Sequence, residues 1–125
     1  MLSNRLLIVD DQPSMGELVA RIGTAAGFAV AVTQCVDDFL EQLRAFNPSV
    51  VTLDLLMPGI DGVELLAKLA AQNCAAKIVL MSGAAGPMLD VAHTFGEDLG
   101  LQVAGALSKP FRAASLQALF EGLRT

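Results

Sequence analysis

At 125 residues and 13.0 kDa the chain has the length of one domain that can bury one real core. A formal net charge of −5 and a pI near 4.6 argue against a binder of phosphate backbones, which needs Lys and Arg clustered on one face. Apolar residues make up 54% of the chain and mean hydropathy is +0.56, yet the longest run without a charge, residues 22–36, is too short and too polar to span a bilayer.

No basic leader followed by an apolar core opens the sequence, so the expectation is a cytoplasmic protein with no membrane contact and no direct nucleic-acid binding. Cys35 and Cys74 lack CxxC spacing and read as small buried hydrophobes in a reducing compartment. His93 stands alone and reads as a helix-surface residue.

Strand-like and helix-like segments alternate from end to end. "RLLIVD" (5–10) is a short apolar run ending in acid, and "SMGELVARIGTAAGF" (14–28) carries Met15, Leu18, Val19, Ile22 and Ala26 at helical spacing. "AVAVTQ" (29–34) reads as a second strand, and "VDDFLEQLRAF" (36–46) as an amphipathic helix with Phe39, Leu40 and Leu43 on one side. "SVVTLD" (49–54) is the third strand, and 62–72 the third helix, striped by Val63, Leu65, Leu66, Leu69 and Ala70. "KIVLMS" (77–82) is the fourth strand, 88–99 the fourth helix, "VAGALS" (103–108) the fifth strand, and "RAASLQALFEGL" (112–123) the fifth helix. Alternation of this kind builds right-handed βαβ units and a five-stranded parallel sheet covered on both faces. In such sheets the functional crevice lies at the carboxyl ends of the strands, where strand order reverses.

The polar residues gather at those ends. Strand one ends in Asp10-Asp11, strand three in Asp54, strand four in Ser82, and strand five in Ser108 followed by Lys109-Pro110. Three crowded carboxylates raise one another's pKa unless a cation intervenes. Oxygen ligands with room for water suit Mg²⁺, and a carboxylate beside Mg²⁺, a lysine and a hydroxyl is suited to receive a phosphoryl group. Asp10 and Asp54 have a plainer reading as strand-end caps for the following helices, which leaves the Asp-Asp pair and the Lys-Pro unexplained. Pro58, Gly59, Asp61 and Gly62 read as turn chemistry.

The set "LLIVDDQPS", "VTLDLLMPGIDG", "IVLMSG" and "LSKPF", in that order, resembles the receiver (phosphoacceptor) domain of bacterial two-component response regulators. The resemblance covers essentially the whole chain and implies a single receiver domain over 1–125. It implies a flavodoxin-like (βα)5 three-layer sandwich with strand order 2-1-3-4-5. It further implies that Asp54 is the phosphoacceptor, that Asp11 binds Mg²⁺ directly and Asp10 mainly through water, and that Leu56 offers its backbone carbonyl to the metal. Ser82 corresponds to the switch hydroxyl and Lys109 to the family's lysine. The implied donor is a phosphohistidine on a sensor histidine kinase or a histidine phosphotransfer protein.

Two departures stand out. Ala106 occupies the strand-five position, three residues before the lysine, where many receivers carry an aromatic. The segment between Ser82 and Lys109 is longer than is usual, which suggests a longer fourth helix or loop and resembles receivers fused to EAL-type cyclic-di-GMP phosphodiesterases. Met88, Leu89, Val91, Phe95, Phe111, Leu119 and Phe120 give the face of the fourth helix, fifth strand and fifth helix an apolar character suited to a partner or a homodimer. The chain reads either as a stand-alone regulator or as a fragment of a longer one. A phosphatase with an aspartyl-phosphate intermediate is the competing enzyme reading, but its second acid would fall at Leu56. A receiver-like interaction module that takes no phosphate is the other, and Asp11, Asp54 and Lys109 argue against it.

Overall fold

In the computed structural model, residues 4–57, 59–83 and 88–125 are described. Pro58 and most of the loop after Ser82 lie outside them. The elements run β1 (Arg5–Val9), α1 (Pro13–Ala25), β2 (Ala29–Thr33), α2 (Val36–Ala45), β3 (Val50–Asp54), β4 (Leu56–Met57), β5 (Ile60–Asp61), α3 (Gly62–Ala71), β6 (Lys77–Ser82), α4 (Met88–Asp98), β7 (Gln102–Ser108) and α5 (Ala113–Leu123).

Alternating side chains on the strands feed two separate cores. From β1, Leu7 and Val9 point to one face and Leu6 and Ile8 to the other; from β6, Ile78 and Leu80 oppose Val79 and Met81. The first set packs with Phe39 of α2, Leu65, Leu66 and Leu69 of α3, and Leu89 and Ala92 of α4. The second packs with Val19 and Ile22 of α1 and Leu116 and Phe120 of α5. Both faces are thus covered, as an all-parallel sheet requires. The strand order is β2-β1-β3-β6-β7, which is the expected 2-1-3-4-5 once the two-residue antiparallel hairpin β4–β5 is set apart. The chain therefore leaves β1 in one direction for β2 and returns across it to β3, so the carboxyl ends of β1 and β3 flank the switch point.

Three helices stop short of the sequence expectation for one reason. At the end of α1 the Gly27 N–H donates to Thr24 and the Phe28 N–H to Gly23, both at 3.0 Å, with Gly27 at φ 97°. This is a Schellman stop, and the left-handed residue it needs is glycine. The same pair of bonds closes α3 through Asn73 and α4 through Gly100. Each stop turns the next side chain inward: Phe28 and Leu101 are buried, and Cys74 is half-buried against the core. Cys35, expected buried, is instead exposed just ahead of α2, because the position before a helix lies outside its apolar stripe. His93 does lie on the helix surface, 3.5 Å from Glu97 one turn on.

Before Lys109, β7 runs seven residues and holds a bulge. Ile78 pairs with Val103 but Val79 pairs with Gly105, so Ala104 is the additional residue. Val103 packs on the α4 side, whereas Gly105 abuts Leu119 of α5 and Leu107 joins that same core. Phe120 anchors α5, fully buried with its ring 5.8 Å from that of Phe28. Phe120→Ala should lower stability by about 3–5 kcal/mol in urea unfolding; a loss below about 1 kcal/mol would contradict the packing of α5 on the sheet.

Candidate functional site

Asp10 follows β1 directly and Asp54 closes β3, so adjacent parallel strands deliver two carboxylates to the same edge. Both are almost fully buried, at 2% and 5% exposure. Each divides its oxygens between two tasks. Asp10 Oδ1 accepts the Gln12 N–H at 3.0 Å, and Asp54 Oδ1 accepts the Leu56 N–H at 3.0 Å. These bonds shape the loops beyond the strands and do not cap the following helices, whose N-cap positions are Gln12 for α1 and Asp61 for α3. The second oxygens face Lys109, whose Nζ lies 2.8 Å from Asp10 Oδ2 and 3.3 Å from Asp54 Oδ2.

Lys109 is held there by the backbone. Its N–H donates to the Ser82 carbonyl at 2.8 Å, continuing the β6–β7 ladder by one step, and the Lys109–Pro110 peptide is cis. Ser82 is fully buried at the end of β6, and its hydroxyl donates to Met88 Sδ at 3.6 Å. The Leu55 N–H donates to the Met81 carbonyl at 2.9 Å, tying the segment beyond Asp54 to the strand that carries Ser82. Burial is the largest influence on Asp54 and pushes its carboxyl above the ordinary 3.8; the Leu56 N–H and the Lys109 ammonium pull the other way without cancelling it.

Asp11 is only partly buried, and one carboxylate oxygen from each of Asp10, Asp11 and Asp54 lies within 4.8 Å of the others. All three donors are hard oxygens. A cleft of about 480 Å³, lined by Asp11 with Gln34, Asp37, Ile60 and Lys68 among others, reaches the Asp11 side of the cluster. Such a donor set fits a hydrated divalent cation of the Mg²⁺ type. Leu56 begins the β4–β5 hairpin two residues beyond Asp54 with its side chain exposed. Asp61 has a defined structural task, accepting the Val63 N–H at 2.8 Å as N-cap of α3. The sequence reading missed the supporting bonds of Gln12 and Leu56, the Thr33 hydroxyl that donates to the Ile8 carbonyl at 2.7 Å, and the Met88 sulfur. None of these four has a spacing signal that singles it out.

The response regulator receiver domain family matches residues 6–121. The chain belongs to that family. It is 32% identical over 114 residues to the chemotaxis protein CheY of Listeria monocytogenes, covering 87% of this chain and 88% of that one. It is 31% identical over 116 residues to the transcriptional regulatory protein FixJ of Bradyrhizobium diazoefficiens, covering 93% of this chain and 54% of that protein. The chain thus spans about half the length of FixJ. Among solved structures, a response regulator from Colwellia psychrerythraea superimposes with a TM-score of 0.82 at 30% identity, over 98% of this chain and 97% of that one. The BeF3-activated receiver domain of Klebsiella pneumoniae RstA does so with a TM-score of 0.78 at 28% identity, over 98% of this chain and 100% of that one. This receiver therefore serves phosphorelay signal transduction, and its acidic cluster has the composition of a receiver's cation pocket.

The raised pKa of Asp54 gives stability a defined pH dependence in metal-free protein. The folded state holds this proton more tightly than the unfolded chain, so the Asp54 contribution is most favourable below the ordinary carboxylate range and declines as pH rises above 3.8. Asp54→Asn, which keeps the acceptor for the Leu56 N–H, should therefore be more stable than the parent at pH 7. In urea unfolding the difference should shrink as pH falls toward about 3. A parent that gains on the variant as pH rises would mean that Lys109 outweighs desolvation.

Proposed function

We propose that this receiver accepts a phosphoryl group onto Asp54 from a phosphohistidine donor, a cytoplasmic sensor histidine kinase or a histidine phosphotransfer protein, and passes the change to a partner or effector domain. The observation that carries the reading is the convergence of Asp54, Asp10 and Lys109 within 3.3 Å contacts at the switch point, with Asp11 completing the acidic set.

An Asp54 oxygen attacks phosphorus in line. The new P–O bond forms as the P–N bond to the donor imidazole breaks, and the departing nitrogen keeps the electron pair and takes a proton. The Leu56 N–H fixes the carboxylate's orientation, so little reorganisation accompanies the attack. Lys109 brings its ammonium to the oxygens that gain charge, and Ser82 donates its hydroxyl to one of them. Asp11, Asp54, Asp10 and the backbone carbonyl of Leu56 would hold Mg²⁺. When bound, the ion supplies positive charge against the phosphoryl oxygens. Water later cleaves the acyl phosphate, which returns the carboxylate and inorganic phosphate. The chain is accordingly a phosphoacceptor that promotes its own phosphotransfer and dephosphorylation, not an enzyme acting on external phosphoesters. An exposed, apolar Leu56 where a phosphatase carries its second acid supports that distinction.

For output we favour the face of α4, β7 and α5, through which a second copy or an effector docks. Val91 is 59% exposed there, with Met88 and Leu99 also open to solvent. Leu89 and Phe120, expected to contribute, are instead buried in the two cores and support the face from beneath. Ala106 is exposed on β7, so no large side chain swings at that position and backbone and helix shifts carry the signal.

Acetyl phosphate with a Mg²⁺ salt should add one phosphoryl group by intact-mass analysis, and Asp54→Asn should abolish it. Asp11→Ala should cut the yield at least about tenfold while the protein stays folded, because the substitution relieves like-charge repulsion in the metal-free state. Equal labelling of Asp54→Asn would move the acceptor elsewhere.

A further inference from the structure

We propose that Met88 is a positioning residue that sets the resting orientation of the Ser82 hydroxyl and couples it to the first turn of α4, a reading that rests on Ser82 serving the phosphoryl group as described above. The Ser82 backbone has little freedom. It sits in the β6–β7 register opposite Ser108, and its carbonyl is tied to the Lys109 N–H at 2.8 Å. Rotation of the side chain is a softer coordinate than movement of that backbone.

A serine hydroxyl carries one proton. In this structure Ser82 Oγ stands 3.6 Å from Met88 Sδ in donor geometry, and a phosphoryl oxygen on Asp54 would compete for the same proton. The two acceptors therefore compete. Sulfur is a weak acceptor and a phosphoryl oxygen a strong, charged one, so the exchange favours the phosphorylated arrangement without making the resting contact negligible.

Met88 is the first residue of α4, it is 37% exposed, and its side chain lines a groove of about 380 Å³ with Leu55, Gly62, Val63 and Val91. A flexible thioether released by Ser82 has space into which it can move. Release thus reaches the start of α4 directly, which gives this chain a route from site to surface that requires no aromatic at Ala106. By linkage, whatever holds Met88 in the groove also favours the phosphorylated state.

Titration of the full chain with beryllofluoride and Mg²⁺, followed by amide NMR, tests the coupling. Met88→Leu keeps the volume and removes the acceptor, and should tighten beryllofluoride binding about two- to fivefold. In a Ser82→Ala background the same substitution should leave binding unchanged. The ¹³C-labelled methyl of Met88 in the parent should shift on beryllofluoride addition, and should not do so in Ser82→Ala. Equal effects of Met88→Leu in both backgrounds, no effect in either, or a Met88 methyl that stays put in the parent would overturn the proposal. Should Met88→Leu fail to fold, the methyl signal in the parent decides. Failure of the parent itself to bind beryllofluoride at Asp54 would instead remove the phosphoacceptor reading, and this proposal with it.

Discussion

The structure depends on one ammonium group standing between two buried carboxylates. Lys109 contacts Asp10 at 2.8 Å and Asp54 at 3.3 Å where both acids are nearly shut off from water. Removing Lys109 from such a set would leave two buried carboxylates uncompensated, which costs about 3–5 kcal/mol. Replacing the whole set with apolar residues is often neutral or stabilising, so stability alone does not account for it. The arrangement is better understood as a poised charge balance: two acids and one fixed cation leave a net negative pocket, with Asp11 adding to it at the solvent edge.

Everything around that pocket serves to hold it open and in register. The strands of the five-stranded sheet are all parallel, so β3, β6 and β7 end at one edge, and Asp54, Ser82 and Lys109 are locked by successive main-chain bonds between them. The two cores above and below the sheet make those strand ends rigid. The first-loop bonds from Gln12 and Leu56 then orient the carboxylates themselves. Groups preorganised in this way stabilise developing charge with little rearrangement, which is how a domain with so little chemical equipment can promote phosphoryl transfer.

Much of this is legible in the sequence, for physical reasons. Central parallel strands are buried on both faces, so "LLIV", "VVTL" and "IVLM" stand out, and the acids and lysine that follow them are conspicuous because charge at the end of such a run is costly. Other features leave weaker traces. The Schellman stops at Gly27, Asn73 and Gly100 cut helices whose apolar periodicity runs on past them, and the bulge at Ala104 shifts the facing of β7 without any local composition signal. The division of each carboxylate's oxygens, the exposure of Cys35 and the contact between Ser82 and Met88 depend on side-chain geometry across separate elements, which spacing along the chain does not encode.

With no aromatic at Ala106, the proposed output runs through α4 and the exposed apolar residues at its start. That follows from the same economy of parts: one hydroxyl, one thioether and one short helix near the charged pocket. The central claim is that Lys109 and the acidic set form a receptacle for a phosphoryl group on Asp54. A crystal structure of the protein with Mg²⁺ and beryllofluoride tests it most directly. The account predicts beryllium bonded to an Asp54 oxygen, a fluoride within reach of Lys109 Nζ, and the metal among Asp10, Asp11 and Asp54. Beryllofluoride bound to Asp10 or Asp11, or Lys109 turned out to solvent with Asp54 loaded, would contradict it.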